Sequence, residues 1–433
     1  MPLSVAIIGS GPSGFYTAEA LVKAEAECRV DILERLPAPY GLIRYGVAPD
    51  HEHTRNVSRA FERTALRDEV RFFGNVEVGR DLSIDELRAI YDAVVVAVGA
   101  PFDRALGLPG EDKAGVVGAA AFVGWYNGHP DFRDLEPPLD TPAAAVIGNG
   151  NVAIDVARVL VKTEAEMAAT DLADYAAKAI QASPLADIHV FGRRGPVEAK
   201  FTNVELREMG VLENSVPLVD PAQLPESVGE LPERQKRMVE KNLATLREFS
   251  VRAAEEKAKR VRFQFFSAPV EVLGGARVEG LRLERTELVE GRAVGTGSFF
   301  EVPCGLVVSA ISYRGRGIDG LPFDDDRGIV VNREGRVADG VYAVGWAERG
   351  STGVIATNRG DGRQVAGHIL ADLAGGAKPG RPALEKLLAE RRLRPVSFAD
   401  WQRIEAAEIA NAAPGAPRRK FATVDEMLAA LET

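Results

Sequence analysis

The sequence predicts an α/β protein made of two parallel-sheet lobes, and three observations predict it. The first is the run VAIIGSGPSGFYTAEALVKA from residue 5, in which a β-branched strand passes through a glycine-rich turn into a helical pattern. The second is a repeat of that arrangement, AAAVIGNGNVAIDVARVLVK, from residue 143. The third is a pair of continuous apolar runs within 91–104 and 304–315, which read as strands buried on both faces. At 433 residues the chain has room for two or three domains. The fold class that follows is two Rossmann-like three-layer dinucleotide-binding domains, one inserted into the other.

In the first turn Gly9, Gly11 and Gly14 follow the G-x-G-x-x-G spacing. Such glycines allow a tight turn, a close approach of backbone to a pyrophosphate, and close helix–strand packing. The helix start then offers free N–H groups and a favourable dipole to the phosphates. Twenty residues after Gly14 stands Glu34, at the end of the strand VDILER. An acid there accepts hydrogen bonds from an adenosine ribose. The glycine motif alone is a weak signal; strand, helix and acid at the right distance make it strong.

The second turn has Gly148, Gly150 and Ala153 in the same register. Its next strand, DIHVFGRR, arrives late, because residues 161–185 insert a helical, alanine-rich stretch. It ends in Arg193 and Arg194 where the first lobe has an acid. A carboxylate repels a ribose 2′-phosphate, whereas two fixed guanidiniums attract one. The competing reading of the arginines is a solvated surface pair. The charge reversal favours an unmodified adenosine ribose at the first site, as in FAD, and NADP(H) at the second.

Composition narrows the function. A net charge of −10 gives no reason to expect a nucleic-acid partner. No apolar run approaches the roughly 20 residues that span a bilayer. The first apolar run is itself a nucleotide-binding strand, so its removal as a leader would destroy the motif, and a cytoplasmic protein is expected. The two cysteines, Cys28 and Cys304, form no C-x-x-C. That argues against a dithiol redox centre, a thiolate-held metal or a resident Fe–S cluster, and they read as buried structural thiols.

The predicted domains are a FAD-binding domain over 1–104, an NADP-binding domain over 105–312, and a return to the FAD-binding domain with a C-terminal extension over 313–433. In the last segment, GRVADGVYAVGWAERGSTGVIATNRGDGRQVAGHIL reads as strand, glycine loop and a helix starting near Gly353. Residues 218–234 read as a proline-bearing loop before a charged helix.

The segments LPAPYGLIRYGVAPDHEHTRNV, GRRGPVEAKFTNVELREM, GLPFDDDRG and the GW…TGVI…TN stretch resemble the adrenodoxin-reductase-like ferredoxin–NADP⁺ reductases. The closing SFADWQRIEAAEIANA is similar to the bacterial members, so the resemblance covers nearly the whole chain. It implies that Gly9, Gly11 and Gly14 hold the FAD pyrophosphate and Glu34 its ribose. It places Leu42 and Val78 along the flavin or adenine, and Trp346 with Gly353, Val354 and Ile355 beside the isoalloxazine. It places Asn149, Gly150, Asn151 and Val152 at the NADP pyrophosphate, Arg193 and Arg194 at the 2′-phosphate, and Glu205 at the nicotinamide side. It also puts His51, in GVAPDH, and Glu208 near the nicotinamide–flavin junction. Without that context a lone loop histidine reads as structural and the acidic pair as a solvated face.

The implied activity is hydride transfer from NADPH to flavin N5, then single electrons to a small Fe–S protein such as ferredoxin. Hydride transfer needs alignment more than a general acid, so His51 and Glu208 are expected to orient or tune. The competing activities are a quinone or diaphorase-type NADPH reductase without a protein acceptor, and a flavin-bearing redox sensor. Residues 234–262 hold ten basic residues against four acidic ones. That local reversal of sign, set against a solvated charged helix, suggests a docking face for an acidic ferredoxin.

Overall fold

A computed structural model describes residues 2–24 and 27–432. The chain divides into two compact units: Met1–Phe102, Asn127–Asp131 and Tyr313–Thr433 make the first, and Asp103–Tyr126 with Phe132–Ser312 the second. The short excursion 127–131 is held in the first unit by side chains. Arg55 donates to Asn127 Oδ1 at 2.7 Å, and Arg35 pairs with Asp131 at 2.6 Å.

The first unit is built on a six-stranded sheet in the order Arg336–Ala338, Val341–Ala343, Ala93–Val96, Leu3–Ile8, Cys28–Leu33, Val70–Phe73. All neighbours are parallel except the first pair. Strand Leu3–Ile8 is buried throughout. Val5 and Ile7 enter one core while Ala6 and Ile8 enter the other, so both faces are covered. Helices Pro12–Val22 and Thr357–Asp372 pack closely; a Cβ at Gly362 would stand 2.8 Å from the Thr17 nitrogen. The late helix Phe398–Ala410 has a capping box at Ser397 and buries Trp401 in the same core as Val5.

The second unit has its own six-stranded, all-parallel sheet: Val116–Gly118, Leu306–Ser309, Ala143–Ile147, Asp187–Phe191, Lys259–Gln264, Ser215–Val219. A three-stranded antiparallel sheet, Ser267–Leu273, Gly280–Val289 and Arg292–Pro303, adds to it. The alanine-rich insertion forms two short helices, Glu164–Met167 and Asp174–Gln181. In each large sheet the glycine-turn strand lies where the strand order reverses, the place where open α/β sheets bind ligands at their carboxyl ends.

One sequence expectation shifts. The helix after the last glycine loop starts at Thr357, not near Gly353. Gly353 has φ +84°, outside helical backbone, and Val354 N donates to Thr357 Oγ1 at 3.1 Å.

Candidate functional site

The two glycine turns share one construction. Gly9 has φ +106°, and a Cβ there would lie 2.5 Å from the Ala97 carbonyl oxygen; Gly148 has φ +146° and would meet the Ala310 carbonyl at 2.4 Å. The middle glycines differ from these, because a Cβ at Gly11 or Gly150 would meet nothing within 4 Å. Backbone is therefore bare and approachable where a phosphate would sit. A Cβ at Gly14 would fall 2.2 Å from the Gly9 carbonyl, and Ala153 is fully buried at the matching place. The helices that follow, Pro12–Val22 and Asn151–Val161, have no side-chain cap and no acid in the first turn. Their N–H groups and positive ends are left for an anion.

The strand ends beside these turns carry opposite charge. Glu34 directly follows Cys28–Leu33, and its carboxylate accepts from Ser10 N at 3.1 Å, Ser10 Oγ at 2.7 Å and Leu36 N at 3.2 Å. The acid is thus fixed against its own glycine turn. Arg193 and Arg194 follow Asp187–Phe191, and their backbones are pinned: Thr286 Oγ1 donates to Arg193 O at 2.7 Å and Phe266 N to Arg194 O at 3.2 Å. Among the described residues neither arginine has a carboxylate partner, so two fixed cations stand uncompensated.

The second turn is stitched to the segment that follows the arginines. Lys200 N donates to Asn149 O at 2.7 Å, and Thr202 N to Asn151 Oδ1 at 2.8 Å. Asn149 also lies over Gly192, where a Cβ would come within 1.6 Å of its amide nitrogen. Val152 is half-buried in the first turn of the helix. These contacts place the short helix Asn203–Glu208, whose Glu205 and Glu208 gather around the buried Arg158. The two acids come together in the second unit; His51, half-buried at the start of Glu52–Arg55, belongs to the first.

The remaining first-unit residues form apolar or conformationally special surface. Leu42 is 43% exposed and Val354 63% exposed. Trp346 stacks on Tyr313 with centroids 5.8 Å apart, and its indole N–H donates to Thr352 O at 2.9 Å. Ile355 and Val78 are half-buried. Open backbone, uncapped helix starts, a fixed acid and exposed apolar side chains fit a dinucleotide with a planar ring.

Sequence reading missed Ser10 as the anchor of Glu34, Arg158 with Asp155, and the buried Arg44–Glu408 pair. Arg158 left one local sign, a lone cation within the apolar helical run VARVLV. The basic run 234–262 is not one face. Arg260 and Arg262 share the Asp187 carboxylate, Arg252 donates to Gly210 O, and Lys257 to Leu212 O. Lys236 is half-buried. The exposed basic face reduces to Arg234, Arg237 and Lys241 on helix Glu233–Ser250, around the part-exposed Met238, with Arg237 paired to Glu233 at 2.9 Å. Cys28 and Cys304 are both buried and free, and burial pushes the Cys304 thiol up to about 12.

Two glycine turns of one build, with opposed charges at their strand ends, define the class of two-lobe dinucleotide-binding oxidoreductases. Residues 3–187 match the family model described as pyridine nucleotide-disulphide oxidoreductase. The chain is 43% identical to human mitochondrial NADPH:adrenodoxin oxidoreductase, over 98% of this chain and 91% of that protein. It is also 43% identical to the NADPH-ferredoxin reductase FprA of Mycobacterium leprae, over 98% and 97%. The structure of Mycobacterium tuberculosis FprA in complex with NADPH superimposes with a TM-score of 0.95 at 40% identity, covering both chains completely. The chain belongs to the family of adrenodoxin-reductase-like NADPH–ferredoxin reductases. No helix among the described residues is long and apolar enough to cross a membrane.

Proposed function

We propose that this chain is a FAD-containing NADPH–ferredoxin oxidoreductase of the adrenodoxin-reductase type. The observation that carries the reading is the opposite charge at two equivalent strand ends, Glu34 fixed by Ser10 and the uncompensated Arg193 and Arg194. The first suits a free ribose and the second a 2′-phosphate. When bound, FAD accepts a hydride from NADPH and releases the electrons singly, chemistry that belongs to the cofactor.

The chain's own part is to bind, orient and keep water out. Gly9, Gly11 and Gly14 cradle one pyrophosphate; Asn149, Gly150, Asn151 and Val152 border the other. Leu42, Val78, Trp346 and Gly353-Val354-Ile355 surround the flavin and adenine with largely apolar surface. Glu205 and Glu208 face the nicotinamide end of NADPH. His51 orients or tunes, since hydride transfer requires no essential base.

The acceptor is a small acidic Fe–S protein, in keeping with the relatives named for adrenodoxin and ferredoxin. Its docking face is the exposed row Arg234, Arg237 and Lys241. A cytoplasmic setting goes with this reading and is supported by two free, buried thiols. Reversing the three basic residues to glutamate should slow ferredoxin reduction about tenfold at low ionic strength and flatten its salt dependence. Ferricyanide reduction by NADPH should stay unchanged, because a small oxidant needs no docking face. Equal losses with both acceptors would contradict the docking face. Cytochrome reduction that gains nothing from an added Fe–S protein would favour the quinone or diaphorase reading.

A further inference from the structure

Arg158 lies in helix Asn151–Val161, which opens at the second glycine turn, and its side chain has no exposed surface. A guanidinium withdrawn from water stays charged and must be paired. One acid would suffice for that, yet three surround it. Nη2 donates to Asp155 at 2.8 Å, Nη1 donates to Glu205 at 3.3 Å, and Nε stands 3.7 Å from Glu208. Each nitrogen position of the planar fork thus addresses a different carboxylate.

The three acids come from two helices. Asp155 is one turn before Arg158 on the same helix, while Glu205 and Glu208 sit one turn apart on Asn203–Glu208. Asp155, at Nη2, balances the charge from within its own helix. Glu205 and Glu208, at Nη1 and Nε, bring two charges beyond the one that neutralises Arg158. Their side chains are 17% and 37% exposed, so they lead from the buried cation to accessible surface.

We propose that Arg158 is a positioning residue that acts through Glu205 and Glu208, fixing where they present their carboxylates to the nicotinamide end of bound NADPH. The proposal rests on the placement of those two acids given under Proposed function. The fork geometry makes it specific. A lysine ammonium is one point charge on a flexible stem and cannot hold three carboxylates in three fixed directions.

The test uses the purified flavoprotein as Arg158→Lys, as the pair Glu205→Gln with Glu208→Gln, and as the triple combination. Anaerobic rapid mixing with NADPH, followed by flavin bleaching, gives the limiting reduction rate and the apparent Kd for NADPH separately. Arg158→Lys should lower the limiting rate about tenfold or more and leave the apparent Kd within about threefold, with FAD content unchanged. The pair should also be slow, and the triple variant no slower than its slower parent, because both changes remove one function.

Losses that multiply would overturn the proposal, since Arg158 would then act independently of the acids. A normal rate in Arg158→Lys beside a slow pair would overturn it too, leaving the acids at the nicotinamide end. A normal rate in the pair would overturn that placement and the proposal with it. If the lysine variant does not accumulate as folded flavoprotein, Arg158→Gln, which is neutral and keeps an amide donor, goes through the same comparison and is judged by the same outcomes.

Discussion

Removing Glu408 should both destabilise the first unit and loosen its hold on FAD. The Arg44 side chain is 4% exposed and that of Glu408 0%, and the two form a hydrogen-bonded ion pair. Phe421 N also donates to the same Glu408 oxygen at 2.8 Å, and Lys420 Nζ donates to Arg44 O at 3.1 Å. The pair therefore fastens the C-terminal segment to the short helix Leu42–Tyr45, which follows Gly41. Glu408→Ala strands a buried cation, at a cost of about 3–5 kcal/mol. The Arg44 guanidinium also lies over the Trp401 ring, 4.9 Å from the centroid, a contact that Glu408→Ala leaves in place. A loss of about 3–5 kcal/mol lowers the Tm of a unit this size by roughly 6–20 °C. Glu408→Gln keeps an acceptor and should lose about half as much. Melting followed by far-UV circular dichroism and by release of flavin fluorescence measures both effects. High salt should leave the wild-type Tm nearly unaltered, because buried pairs are poorly screened. An alanine variant that melts within about 1 °C of wild type, with FAD retained, would refute the assigned role of the pair.

Three further outcomes are expected. Arg193→Ala with Arg194→Ala removes two charge-assisted contacts worth roughly 1.5–3 kcal/mol each, so KM for NADPH should rise about a hundredfold or more while NADH is little changed; equal losses would contradict the 2′-phosphate role. Glu34→Arg deprives the ribose of its acceptor and Ser10 of its partner, so FAD content after gel filtration should fall, and full occupancy would remove Glu34 from the site. Burial, then the Asp361 carboxylate, push Glu348 up to about 7 against the pull of Arg349, from an ordinary 4.5. Its protonated form is favoured in the fold, so that contribution is fully present below about pH 4.5 and lost as pH rises through about 7. Glu348→Gln should flatten this slope in a Tm-versus-pH series, by on the order of 1–2 kcal/mol after solvent screening.

What was legible in the sequence was what is encoded locally. Each glycine turn is set by strand, turn and helix within a few residues, and Gly9 and Gly148 take positive φ that favours glycine. The opposed charges of Glu34 and Arg193-Arg194 were readable because they follow the second strand of each repeat. Partnerships set by topology were not. Arg44 and Glu408 lie 364 residues apart, and nothing near either predicts a buried ion pair. Arg158 and Glu205 are separated by 47 residues and meet only because Lys200 and Thr202 are bonded back to the second glycine turn. The basic run misled in part, because a strand register delivers Arg260 and Arg262 to Asp187.

The central claim is that one chain reads two dinucleotides by opposite charges and passes electrons from one to a small Fe–S acceptor. Anaerobic titration of the purified yellow protein with NADPH, and in parallel with NADH, tests it most directly, followed by addition of an oxidised two-iron ferredoxin. The account predicts bleaching of the flavin bands by stoichiometric NADPH, far weaker bleaching by equal NADH, and return of the oxidised spectrum as the ferredoxin is reduced. A protein without bound flavin, equal response to the two nucleotides, or a reduced flavin that ferredoxin cannot reoxidise would contradict it.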